Sequence, residues 1–256
     1  MTTEALPDLH GRVYFSGMTR RALAMLLLLV TSAPGQQQNA PSPAPADAAP
    51  SPARVSYTVE RENRDPARFT LTVDRLGHAT YTAEEATGDS KEAEGEGPAP
   101  PYHTSFDVSP ATRDRIFTLA QALDYFDGDF EFRKHKVADT GRKTFRYSDG
   151  ARQGETVLHW SENKQMQQLT DLCESIALTQ NFARRLVYLR RFDRLGLDAA
   201  LKRMEELAKG NYLAELQTIA PGLRQVADDP DVMHVARQRA SRLLELAAAA
   251  PAGAAR

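Results

Sequence analysis

Six histidines, His10, His78, His103, His135, His159 and His234, are the side chains best suited to acid–base or metal chemistry near neutral pH. No two stand three or four residues apart, the spacing that sets two imidazoles on one helical face, so the sequence has no local metal motif. His159 neighbours Trp160 on a segment that reads as a strand, and Asp139 precedes the same pair of strands, which makes an acid–base pair conceivable. Alternation along a strand, however, turns His159 away from the core and into solvent. The run Asp127-Gly128-Asp129-Phe130-Glu131 alternates acids as a calcium loop does. An EF-hand loop needs glycine at position 6 and glutamate at position 12; here glycine is second and the twelfth residue is Ala138, so the run reads as a helix-ending turn.

The single cysteine, Cys173, excludes an internal disulfide and a cysteine-built zinc site. It falls in the series Met166, Leu169, Leu172, Cys173, Ile176, whose helical spacing places the thiol inside. No GxSxG elbow, phosphate-binding glycine loop or HExxH helix occurs, and the serines lie mostly at caps, in turns or in a proline-rich stretch. The sequence therefore nominates no catalytic, cofactor-binding or metal-ligating residue and no cofactor.

Charge gives the strongest local feature. Thirty-two basic and 34 acidic residues leave a formal net charge of −2, which gives the whole chain no attraction for nucleic acid. Between residues 181 and 195, however, Arg184, Arg185, Arg190, Arg191 and Arg194 face one acid, Asp193. Phe182, Leu186, Tyr188 and Leu189 interleave with them, so the segment reads as a basic amphipathic helix. Its partner would be an acidic protein, a glycan or an anionic lipid surface. The plainer reading is a solvated helix that pairs with the acids Glu205-Glu206 and Asp228 to Asp231.

These residues are carried on a chain with a marked order. Met18 to Gly35 pairs Arg20-Arg21 with an apolar run, Ala22 to Val30, that is nine residues long. A span of the hydrocarbon core takes about 20 apolar residues and a signal-peptide h-region about 7 to 15. Residues 18–35 therefore read as a cleavable signal peptide with the mature start near Gln36, and no transmembrane span remains in the mature chain. Residues 1–17 read as an upstream extension, Met18 being the expected initiator. No cysteine follows the apolar run to carry a lipid anchor, so the expected location is periplasmic or secreted. Residues 36–53 hold five prolines and no large apolar residue, which reads as an extended, disordered tether.

Strand signals begin at Val55 to Glu60. Phe69, Leu71 and Val73 alternate, Arg75-Leu76-Gly77 turns the chain, and Ala79, Tyr81 and Ala83 return it as a hairpin. Residues 84–101 contain six acids, one lysine, three glycines and three prolines, a solvated acidic loop. Tyr102 to Val108 reads as a strand leading into the helix cap Ser109-Pro110 and a helix with Ile116, Phe117, Leu119, Ala120, Leu123 and Phe126 inward. Lys143 to Tyr147 and Glu155 to Trp160 then pair around Asp149-Gly150, with Thr156, Leu158 and Trp160 on one face. Ser161 is the expected cap of a helix over 162–179.

Residues 54–180 thus predict an α+β domain, an antiparallel sheet from two strand-strand-helix units with helices on one face. Residues 181–250 predict an all-helical cap broken at Gly196, Gly210, Pro221-Gly222 and Asp228-Asp229-Pro230. Leu197, Leu201, Met204 and Leu207 form one stripe there, and Val232, Val235, Ala236, Leu243 and Leu246 another. The short helices resemble a fragment of a HEAT-type array, yet the pattern is too brief for the three repeats such an array needs.

The succession FTLTVDRLGHATY, a strand into SPATRDRIFTLAQAL, then KTFRY and ETVLHW before a capped helix resembles exported bacterial domains of unknown function. The resemblance spans about residues 54–180 and implies no activity and no catalytic residue. The expected function is that of an exported, non-enzymatic partner-binding or structural module of the cell envelope; the rival is an extracytoplasmic hydrolase with a site built from distant segments. Convergent His, Asp, Glu or Ser side chains in the largest cleft would favour the hydrolase. An exposed apolar or arginine-rich patch would favour binding.

Overall fold

Period-two alternation in the sequence becomes a sheet with one apolar face. The computed structural model describes residues 52–62, 64–84, 101–135 and 140–249; the signal segment, most of the tether and of the acidic loop, His10 and Asp139 lie outside the described residues. The strands are β1 (Arg54–Glu60), β2 (Arg68–Asp74), β3 (His78–Glu84), β4 (Tyr102–Asp107), β5 (Arg142–Ser148) and β6 (Gln153–Leu158), all antiparallel in the order β4-β3-β2-β1-β5-β6. β1 to β4 form a meander, and the β5–β6 hairpin joins it by pairing with β1. The two strand units therefore share one sheet, and the first holds the four strands expected before the first helix.

Val55, Tyr57, Val59, Phe69, Leu71, Val73, Tyr81 and Phe145 bury one face. Tyr57 and Phe145 stack across the β1–β5 seam with ring centroids 4.6 Å apart. The opposite face carries hydroxyls: Ser56 bonds Thr72 and Thr58 bonds Thr70, both at 3.0 Å, which ties the neighbouring strands on that side as well. At the β2–β3 turn Asp74 Oδ1 accepts from the N–H groups of Leu76 and His78, and Gly77 supplies the left-handed residue with φ +100°.

The apolar face is covered by α1 (Pro110–Ala122) and the first part of α2 (Lys164–Phe192). Ser109 caps α1 as its sequence predicted. After α1, Asp124, Tyr125 and Phe126 all take positive φ, a left-handed turn that buries Phe126; Arg152 braces it by donating to Asp124 Oδ1 at 2.6 Å. α2 is capped by Asn163, whose Oδ1 accepts from Gln165 and Met166 N–H groups, while the expected cap Ser161, two residues earlier, accepts from Asn163 N–H.

α2 does not end near residue 179. It runs 29 residues, about 43 Å at 1.5 Å per residue, so residues 180 and 181 fall inside it. Met166, Leu169, Leu172, Cys173 and Ile176 pack on the sheet, whereas Phe182, Leu186 and Leu189 enter a second apolar core. That second core is shared with α3 (Arg194–Lys209), α4 (Ala220–Ala227) and α5 (His234–Ala249). The helical tail thus grows from the same helix that roofs the sheet. In α5 the inward residues are Ala236, Ala240, Leu243 and Ala247; Val235 and Leu246, expected inside, are exposed.

One buried carboxylate also fastens the tail to the sheet domain. Glu215 lies just before the short 3-10 turn Leu216–Ile219 and accepts from Ser109 N–H and Ser109 Oγ, each at 2.7 Å, and from Thr112 Oγ1 at 2.5 Å. It therefore sits on the N-terminus of α1, where backbone N–H groups and the helix dipole favour an anion.

Candidate functional site: the outward face of α2

The five arginines expected on one basic helix are divided by the structure. Phe182, Leu186 and Leu189 repeat at helical spacing and bury one side of α2, which fixes where the charged residues emerge. Arg184 turns toward the β1–β2 connection and clamps Asp65, its Nη2 2.6 Å from each carboxylate oxygen. Arg190 donates to Asp229 Oδ2 at 3.1 Å and to Gln225 at 2.8 Å, and Arg194, in the first turn of α3, donates to the carbonyl of Asp231 at 2.7 Å. These three hold the fold together.

Arg185 and Arg191 remain outward. Arg185 is exposed and has no ion-pair or hydrogen-bond partner among the described residues. Arg191 lies over the Phe192 ring, 5.0 Å from its centroid. The acids Glu205 and Glu206, expected to neutralise this segment, do not: Glu205 is taken by Arg239 and Arg242 of α5, and Glu206 pairs with Arg203.

Four apolar side chains at the end of α2 and the start of α3 are exposed. Val187, Tyr188, Phe192 and Leu195 are exposed to 70, 61, 64 and 77%, values a core-facing residue does not have. The Tyr188 and Phe192 rings lie 5.0 Å apart, one helical turn from each other. In the sequence Tyr188 interleaves with Phe182, Leu186 and Leu189, but in the structure it is exposed, as are Val187, Phe192 and Leu195. Counting by 3.6 from Leu186 and Leu189 separates the inward set from Val187 and Phe192; Leu195 lies beyond α2, in α3.

Beside this face a hollow of about 690 Å³ is lined by Tyr102, His103, Arg184, Arg185, Tyr188 and Leu189. Asp65, held by Arg184, lines both it and a second cavity of about 600 Å³.

The remaining chemically able residues are dispersed. His78 Nδ1 meets Asp107 Oδ1 at 2.6 Å at the end of the β3–β4 pair, and that hydrogen bond and the carboxylate charge raise the His78 pKa. His103 bonds Thr82 on the hydroxyl-bearing side of the sheet. His159 lies just past the end of β6 and not on the strand expected for it; it is half exposed, with Nδ1 3.8 Å from Glu131 Oε2. Glu131 accepts the His159 N–H at 2.6 Å, and Asp129 accepts from Glu131 N–H and pairs with Arg133, so the acidic run is occupied by turn and surface contacts. Trp160 lies beyond β6, edge-on to Phe132 with centroids 4.8 Å apart, and does not share the inward face with Thr156 and Leu158. Cys173 is buried, and burial followed by the neighbouring Glu174 charge pushes its thiol up, away from nucleophilic form. Among the described residues no three His, Cys, Asp or Glu side chains come together to hold a metal ion, and no helix is long and apolar enough to cross a membrane. No family model and no curated protein matches the chain.

Proposed function

We propose that this protein is an exported, periplasmic or secreted, non-enzymatic module that docks an acidic protein partner on the outward face of α2. The observation that carries this reading is the exposed set Val187, Tyr188, Phe192 and Leu195 beside Arg185 and Arg191. Large apolar side chains grouped on a surface cost solvation free energy that a partner recovers, and Tyr, Phe and Arg are the residue types enriched at protein interfaces. The unpaired guanidinium of Arg185 and the ring-stacked one of Arg191 supply charge complementarity to carboxylates and a salt-sensitive encounter. The basic N-region and nine-residue apolar run ahead of a proline-rich tether support export.

A photoreactive phenylalanine analogue at Val187, introduced into the full chain in its producing cell, tests the reading; the same analogue at the exposed sheet residue Thr80 is the control. The expected result is one protein adduct from Val187, absent from Thr80 and lost when Arg185→Glu and Arg191→Glu are combined. Adducts to lipid or glycan alone, or equal labelling from both positions, would overturn it.

A further inference from the structure

The cavity of about 600 Å³ lies within the range of small-molecule sites, between the β1–β2 connection, α2 and the end of α3. Its ionisable groups are mostly matched. Arg61 donates to Glu174 Oε1 at 3.1 Å, Tyr57 donates to the same oxygen at 3.1 Å, and Asp65 is clamped by Arg184. Subtracting these pairs leaves one cation and one anion on different walls. Arg64, in the β1–β2 connection, and Asp171, on α2, have no side-chain partner among the described residues.

A third group is unmatched. Tyr81 of β3 lines the cavity and is fully buried, yet its hydroxyl has no hydrogen-bond partner. Buried hydroxyls are nearly always paired, so an orphan on a cavity wall marks a position that a ligand atom can fill. Phe69, Ala177, Leu178 and Leu207 supply the apolar part of the lining. Burial followed by the charge of Glu174 raises the Asp171 pKa, which a bound cation would reverse.

We propose that this cavity binds a short zwitterionic peptide, its ammonium group at Asp171, its carboxylate at Arg64, and an acceptor oxygen receiving the Tyr81 hydroxyl. The site is distinct from the hollow beside the α2 face, with which it shares only Asp65. Arg64 and Asp171 are both exposed, and a ligand carrying both charges pairs with the two together, where one with a single charge leaves the other wall group without a partner.

The test is a backbone amide NMR titration of the full chain with trialanine bearing free termini, and in parallel with trialanine acetylated and amidated at its ends. Saturable shifts are expected for Tyr81, Asn181 and Tyr212 with the free peptide only. Tyr81→Phe should weaken binding about tenfold, the effect of losing a buried hydrogen bond, while leaving the melting temperature equal or higher. A hydroxyl with a structural role would instead lower the melting temperature without changing the titration. That result, equal binding of the capped peptide, or no shifts at about 10 mM trialanine, a concentration well above a millimolar Kd, would overturn the proposal.

Discussion

Glu215→Ala should be among the most damaging single changes in the helical tail, and the cost can be worked from its contacts. Three donors, Ser109 N–H, Ser109 Oγ–H and Thr112 Oγ1–H, converge on this carboxylate, and Ser109 and Thr112 are themselves buried. Each donor left without an acceptor costs about 1 to 3 kcal/mol when buried. Taking the low end for three donors and adding about 1 kcal/mol for the lost anion at the α1 N-terminus gives about 4 kcal/mol, a large part of a typical domain's stability. The left-handed backbone at Glu215, φ +58°, is equally unfavourable for alanine, so no relief of strain offsets the loss. Glu215→Gln keeps the volume and one acceptor oxygen and should cost about 2 kcal/mol. Gln217→Ala removes a fourth contact, donated from an exposed side chain, and should cost less than about 0.5 kcal/mol. Urea unfolding followed by far-UV circular dichroism measures all three. Combining Glu215→Gln with Ser109→Ala should show a coupling of at least about 1 kcal/mol. An additive double variant, or Glu215→Ala within about 1 kcal/mol of the parent, would refute the reasoning.

Other consequences follow from the same contacts. Burial by itself would raise Glu205, but hydrogen bonds from Arg242 at 2.6 Å and Arg239 at 2.7 Å outweigh it and hold its pKa below the usual carboxylate value. Because the folded pKa lies below the unfolded one, its stabilisation is present above about pH 4.5 and is lost as pH falls through the folded value. Glu205→Gln should cost about 2 to 3 kcal/mol at neutral pH and flatten the acid limb of a stability–pH curve; an unchanged limb would count against this. Gly154→Ala would drive a methyl group into the carbonyl oxygen of Tyr125, in a turn pinned by buried Phe126, and should cost about 2 kcal/mol in thermal unfolding. Gly222→Ala in α4, where a Cβ meets nothing, should instead stabilise by about 0.5 to 1 kcal/mol. The His78 proton should titrate above 6.5 by NMR and return toward that value in Asp107→Asn, since the Asp107 hydrogen bond is the main cause of its rise.

Much of the sheet was legible because one face is buried and the other wet, so Phe69-Leu71-Val73 and Ala79-Tyr81-Ala83 show the two-residue period without interruption. Ser109-Pro110 marked the start of α1 by local chemistry alone. The end of the long helix was misread for a physical reason: composition turns basic after Gln180, but nothing between Thr179 and Phe192 breaks a helix. Thr179 and Gln180 are buried polar residues satisfied by the Ala214 carbonyl and by Thr218. The arginine partners were hidden because they are tertiary. Arg184 finds Asp65 across 119 positions, and Glu205 lies nearer to Arg239 of α5 than to the α2 arginines once α3 packs on α5. The cavity around Tyr81 was invisible for the same reason, since its walls come from four separate stretches of chain.

The docking reading is tested most directly by the affinity of the partner captured at Val187 for the purified full chain and its variants. Tyr188→Ala combined with Phe192→Ala should weaken binding at least about 30-fold, the loss expected when central aromatic anchors are truncated, with unfolding unchanged because both side chains are exposed. Arg185→Glu combined with Arg191→Glu should weaken it further at low salt, and the difference from the parent should shrink as salt is raised. Affinities within about twofold of the parent for both pairs, with no dependence on salt, would contradict it.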